Sequence, residues 1–326
     1  MGLLDRIGKL VFGEGGADSA PSSYSPPPSS YSGGGGVQYS LSFPSGSSIV
    51  LNLTDANYRL LEGRGRRAFL KRCPKDRLIS MIRSSINYRS LEDIAERYYI
   101  CDTADFADLH LEAIKSTLCS VVEILYEYPL LRSKLCFIGS AQGYRRKLDS
   151  LRCGSLVTLK DFGIEYICDA SQVRQLGSLM VDLADSYLAS RDSYIAFALD
   201  AFGLFDALVL DADDYKGHKY RQTVDDLKYS ETCGFHPKGC TTPESAVYHE
   251  IGHLLDYLCH LNANGMERLY LSYSRRDIEK GLSEYGATNA YELFAEAFAE
   301  ARCNPSPRPI ARRAMDLFHS AYARIK

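Results

Sequence analysis

The chain has 326 residues, 45% apolar and 24% charged, with a net charge of −3 and a pI near 6.2. This is an ordinary globular composition, long enough for one large or two modest domains. It lacks the basic character that a nucleic-acid partner favours, and no run approaches the ~18 apolar residues of a membrane span.

The N-terminus has no long apolar core of the kind a signal peptide carries, so a cytoplasmic location is expected. Leu3, Ile7 and Leu10 fall on one helical stripe, consistent with a short docking helix or with a frayed end. Residues 13–36 are mostly Gly, Ser, Pro and Tyr, and Ser-Ser-Tyr-Ser occurs twice. Such a segment buries too little apolar surface to offset its ordering entropy. Residues 1–36 are therefore expected to be a disordered tail, free to dock a partner.

Val37, Tyr39, Leu41 and Phe43 alternate with polar residues, Pro44-Ser45-Gly46 signals a turn, and Ile49, Leu51 and Leu53 alternate again. This predicts a β-hairpin. Short, basic-rich helices are predicted from 56 to about 100, and with the hairpin they make a small unit over 37–104. A larger α+β domain is expected over 105–326. Its predicted elements are a helix over 105–128 stopped by Pro129, strands over 134–140 and 163–168, and a helix over 171–190. A strand over 204–210 and helices over 243–261, 291–302 and 309–325 complete it.

Ten cysteines are present, none in a C-x-x-C pair. Most lie in apolar runs, such as Leu118-Cys119-Ser120-Val121, and read as buried free thiols of a reducing compartment. Cys233 and Cys240 are candidates for closing a small loop.

The chemistry concentrates at His249-Glu250-Ile251-Gly252-His253. Four residues apart on a helix, the two imidazoles share a face and can hold one cation, zinc by preference. Glu250 is then the candidate general base that activates water. Pro243 and Glu244 suit a helix start, and Gly252 removes bulk where another backbone could pass.

His260 is excluded as a third ligand. On a continuing helix it would lie about 10 Å beyond His253, which makes it a helix-surface residue. The glycine that breaks the helix in the metzincin pattern is replaced here by Asp256.

Glu292 is the better candidate. It shares a helical face with Glu296 and, less directly, Glu300, while Phe294 and Phe298 mark the helix as buried. Carboxylates beside such aromatics need a partner. Glu296, one turn past Glu292, suits orientation of His249 through its other ring nitrogen.

H-E-I-G-H-x-x-x-Y at 249–257, together with S-E-Y-G-A-T-N-A-Y-E-L-F-A-E-A-F at 283–298, resembles the catalytic domain of anthrax lethal factor and related zincin domains of phage and bacterial proteins. The likeness is specific over these two blocks, looser over 105–326, and does not reach residues 1–100. It implies a zincin-like fold: a small mixed sheet, an active-site helix and a C-terminal helical subdomain carrying the Glu ligand.

The resemblance also implies that His249, His253 and Glu292 bind Zn2+ in the gluzincin manner, with Glu250 as base and Tyr285 as the oxyanion-stabilising phenol. Glu296 matches the acid four residues past the family's ligand. Gly234-Phe235-His236-Pro237 looks like a substrate-side edge segment, where His236 is a substrate contact or simply part of a turn.

The expected activity is hydrolysis of a protein or peptide substrate. Two alternatives stand beside it: a zinc-stabilised, non-catalytic component of a phage or mobile-element assembly, including virion association, and an effector protease delivered into another cell.

Overall fold

A computed structural model describes residues 37–42, 48–53, 73–152, 196–199, 207–210 and 217–326. The expected tail over 1–36, the strand over 163–168 and the helix over 171–190 lie outside these residues.

Strands β1 (Val37–Ser42) and β2 (Ser48–Leu53) form the antiparallel hairpin. Its register sets Val37 opposite Leu53, Tyr39 opposite Leu51 and Leu41 opposite Ile49.

Helices α1 (Lys75–Ser84) and α2 (Tyr88–Arg97) follow. Asn87 caps α2 by accepting the Ser90 amide at 2.9 Å, as its short side chain favours. Strand β3 (Thr103–Asp105) leads into α3 (Leu111–Glu127). The helix predicted from 105 thus starts later, because the residues before it are drawn into the sheet. Pro129 opens a 3-10 segment, Pro129–Lys134, so β4 (Phe137–Ser140) begins three residues after the predicted strand start. Beyond it lie α4 (Ala141–Arg152), β5 (Ala196–Leu199) and β6 (Ala207–Leu210).

The four-stranded sheet has the order β3-β4-β6-β5. β3, β4 and β6 run parallel, and β5 pairs antiparallel with β6 at the edge. All residues of β4 and β6 are buried, as expected for strands covered on both faces. With its surrounding helices the sheet gives a mixed α+β architecture. β3 straddles the boundary drawn at residue 104, and α1 and α2 pack against α3 in the same core as the C-terminal helices.

The C-terminal part is helical: α5 (Gly217–Cys233), α6 (Pro243–Cys259), α7 (Glu267–Leu271), α8 (Arg275–Gly281), α9 (Ala290–Cys303) and α10 (Pro309–Ile325). α5 has few apolar positions and was not anticipated. α6 packs on edge strand β5 and on α3, and its main partner is α9, which in turn packs on α10. Val247, Ile251, Leu254 and Leu255 of α6 and Leu293, Phe294 and Phe298 of α9 are fully buried. Each such side chain contributes about 1.5–3 kcal/mol of transfer free energy.

Gly252 makes the α6–α9 contact close. A Cβ there would sit 2.9 Å from the Ala295 Cα. Beneath α9, Tyr128, Phe294, Phe298, Phe318 and Tyr322 form an aromatic cluster, with Tyr128 and Phe318 edge-on at 4.9 Å.

Two expectations need correction. α6 does not continue through residue 261. It ends at Cys259, and His260 adopts a left-handed conformation (φ 49°) as its cap rather than lying on the helix surface. Asn264 helps end the helix by donating to the Cys259 and His260 carbonyls at 2.9 and 3.0 Å. Cys233 and Cys240 close no loop, for both are free thiols. Cys233 is exposed, whereas Cys240 is buried beside Cys303; hydrogen bonding to that thiol, followed by burial, pushes its pKa up. Among the described residues, no helix is long and apolar enough to cross a membrane.

Candidate metal centre

α6 and α9 supply the site. Pro243 occupies the first turn of α6, and Glu244 accepts a hydrogen bond from Ser116 of α3, which anchors the helix start. Helical spacing then stacks His249 and His253 one turn apart, with their rings edge-on at 4.8 Å. Asn289 caps α9 by accepting the amides of Tyr291 and Glu292, both at 2.9 Å. This fixes the backbone of Glu292 in the first turn.

Three side-chain atoms converge. His249 Nε2 lies 3.1 Å from His253 Nε2, and Glu292 Oε2 lies 3.1 Å and 3.4 Å from these two nitrogens. Donors about 2.0–2.1 Å from a tetrahedral zinc would be roughly 3.3–3.4 Å apart. The observed separations are close to that edge length.

Both histidines are only 7% exposed and Glu292 only 3%. Despite its near neighbours, Glu292 Oε2 is buried without a well-aligned hydrogen bond. A buried carboxylate oxygen in that condition is costly unless a cation serves it. The three residues thus form a buried His-His-Glu group able to bind a metal ion.

The electrostatics agree. Burial acts to raise the pKa of Glu292, but His253 and His249 overcome it and hold the carboxyl well below its usual range. Burial likewise acts to lower both histidines, and the facing carboxylates raise them above their ordinary value. The pocket is therefore strongly cation-seeking.

Glu296 is 1% exposed and surrounded by donors. Its Oε1 lies 2.8 Å from His249 Nδ1 and 3.3 Å from His236 Nδ1. Its Oε2 accepts the Ser283 hydroxyl at 2.8 Å. Holding Nδ1 as the protonated nitrogen leaves His249 Nε2 with a free lone pair for a cation.

Glu300, fully buried one turn further on, belongs to a different contact. Arg308 meets it with Nη2 at 2.7 Å and Nε at 3.0 Å, and its backbone amide adds a bond at 2.7 Å.

Tyr285 lies in the 3-10 turn Tyr285–Ala287. Its ring stacks on His249 at 5.6 Å and on Phe235 at 5.5 Å. The Phe235 loop and the Tyr285 turn are joined by backbone bonds: Glu284 N–H to Gly234 O at 2.9 Å and Tyr285 N–H to Phe235 O at 3.1 Å. That pairing carries His236 to Glu296. Glu250 follows His249 on α6, is half-buried, and its charge acts on His253.

The structure thus brings together His249, His253, Glu292, Glu296, His236 and Tyr285. Ser283 opens the 283–298 block, but nothing in the sequence pattern assigns its side chain a role. No family model, curated protein or solved structure matches the chain.

Proposed function

We propose that this chain is a zinc-dependent endopeptidase of the gluzincin kind, built on a zincin-like fold and acting on a protein or peptide substrate. The observation that carries this reading is the convergence of His249 Nε2, His253 Nε2 and Glu292 Oε2 at tetrahedral-edge spacing in a buried, cation-seeking pocket. Bound there, zinc would supply a Lewis acid that brings the pKa of water down to about 7.

The chain's own residues would do the rest. Glu296 fixes the tautomer and orientation of His249. Glu250 accepts a proton from the attacking water and passes it to the departing amine. The Tyr285 phenol donates to the oxygen on which negative charge develops. Its ring is already held against His249 and Phe235, so little reorganisation is needed.

A purely structural metal site is the alternative. Such sites close the ion with four protein ligands, and among the described residues no fourth His, Cys, Asp or Glu joins the three.

The test is Glu250→Gln, with zinc content and cleavage of an unstructured protein substrate both measured. Zinc should remain at one equivalent while cleavage falls by at least ~10²-fold. Unchanged cleavage would defeat the assignment of Glu250, and absence of zinc from the wild-type chain would defeat the metal reading itself.

A further inference from the structure

We propose that Ser283 is a positioning residue, one hydroxyl that sets the orientation of both His249 and Tyr285. This inference rests on the metal-site reading above.

Ser283 is fully buried between α8 and the Tyr285 turn. Its Oγ donates to Glu296 Oε2 at 2.8 Å and accepts the Gly286 amide at 2.9 Å. The first bond acts on the metal pocket. The Glu296 carboxylate is pulled on one oxygen by His249 Nδ1 at 2.8 Å, with His236 Nδ1 at 3.3 Å from that oxygen and 3.5 Å from the other. Without the hydroxyl, Oε2 keeps only the long His236 contact. The carboxylate is then free to rotate toward His236 and to turn the His249 ring with it.

The second bond acts on the phenol. The amide after Tyr285 is tied to Ser283, and the amide of Tyr285 is tied to Phe235 O at 3.1 Å. The tyrosine backbone is therefore held on both sides. Gly286 permits this closeness, since a Cβ there would fall 2.9 Å from Ser283 Oγ and 3.4 Å from the Glu296 Cβ. The serine itself is anchored from behind, where Arg308 donates to the Leu282 carbonyl and, at 3.3 Å, to that of Lys280. A hydroxyl suits the position because it donates to a carboxylate and accepts from an amide at once.

The experiment is a double-mutant cycle on the full chain, using Ser283→Ala, Glu296→Gln and the pair, with zinc affinity measured by chelator competition. Loss of an outer partner of a metal ligand typically costs about 10–100-fold in affinity. Glu296→Gln should fall in that range, and Ser283→Ala should weaken zinc about tenfold. If Ser283 acts through Glu296, the double variant should match Glu296→Gln within about twofold. In turnover, Ser283→Ala should lower kcat with little change in KM.

Ser283→Cys keeps the volume with a weaker donor and should lie between wild type and Ser283→Ala. It also serves as the comparison if the alanine variant does not fold. Wild-type zinc affinity in either variant, or independent additive losses in the cycle, would overturn the proposal while leaving the metal site intact. A wild-type chain that binds no zinc would overturn both.

Discussion

Gly252→Ala sets two physical effects against each other. On propensity alone the change should stabilise α6 by about 1 kcal/mol, because glycine is costly inside a helix. The tertiary structure predicts the opposite. The new Cβ would lie 2.9 Å from the Ala295 Cα, 3.3 Å from the Phe298 Cβ and 3.4 Å from the Ala295 carbonyl oxygen. Carbon atoms pack at about 3.5–4.0 Å, so α6 and α9 must separate by roughly 0.6–1 Å. The nearest atom is backbone and cannot rotate away. Overpacking of this sort costs about 1–3 kcal/mol. Set against the propensity gain, a net destabilisation of about 1 kcal/mol is expected.

The same displacement reaches the metal pocket, since Gly252 lies between the two histidines and Ala295 lies three residues past Glu292 on the facing helix. Ligand distances tolerate only about ±0.2 Å, so zinc affinity should fall by at least about tenfold. Urea denaturation of the metal-free protein and chelator competition for zinc measure the two effects. A variant about 1 kcal/mol more stable than wild type, binding zinc equally well, would refute the reasoning.

Three other outcomes are expected. Tyr285→Phe should lower kcat by about 10²-fold, the usual cost of one oxyanion donor, with zinc content unchanged; loss of zinc would show that the hydroxyl supports the metal site itself and would contradict the oxyanion role. Arg308→Ala leaves Glu300 buried without its cation and should cost about 3–5 kcal/mol in denaturant unfolding, which a change below ~1 kcal/mol would contradict.

The third concerns pH. In metal-free protein, burial opposes ionisation of Glu292 and Glu296, but the neighbouring histidines lower both carboxyls below 4.5, while the carboxylates raise His249 and His253 above 6.5. Their mutual stabilisation is therefore whole between about pH 4.5 and 6.5. It fades as acid protonates the carboxylates, and it fades again as rising pH deprotonates the histidines. Zinc requires neutral imidazoles, so its affinity should climb over that upper interval and its binding should release protons. An unfolding midpoint of the metal-free protein that does not fall above pH 6.5 would contradict this account.

What the sequence determined by itself is the part governed by local geometry. α10 was legible to the residue, because Pro309 starts it and the amphipathic repeat runs to Ile325. Alternation either side of Pro44-Ser45-Gly46 implied the hairpin of β1 and β2. The four-residue spacing of His249 and His253 settled a shared helical face, and Phe294 and Phe298 marked α9 as buried.

Elements without a periodic apolar signal were missed or misplaced. α5 carries little apolar surface, the start of α3 gave way to strand pairing by β3, and the end of α6 was decided by a left-handed His260. Only the tertiary structure could bring Glu292, 39 positions beyond His253, onto the histidines. That depends on the α6–α9 approach across Gly252 and Ala295. It also took Cys240 to Cys303 instead of Cys233, and it placed His236 and Ser283 on Glu296. Spacing within a helix is fixed by its own pitch, whereas the meeting of separate elements is fixed by which surfaces they bury against one another, and no single segment carries that information.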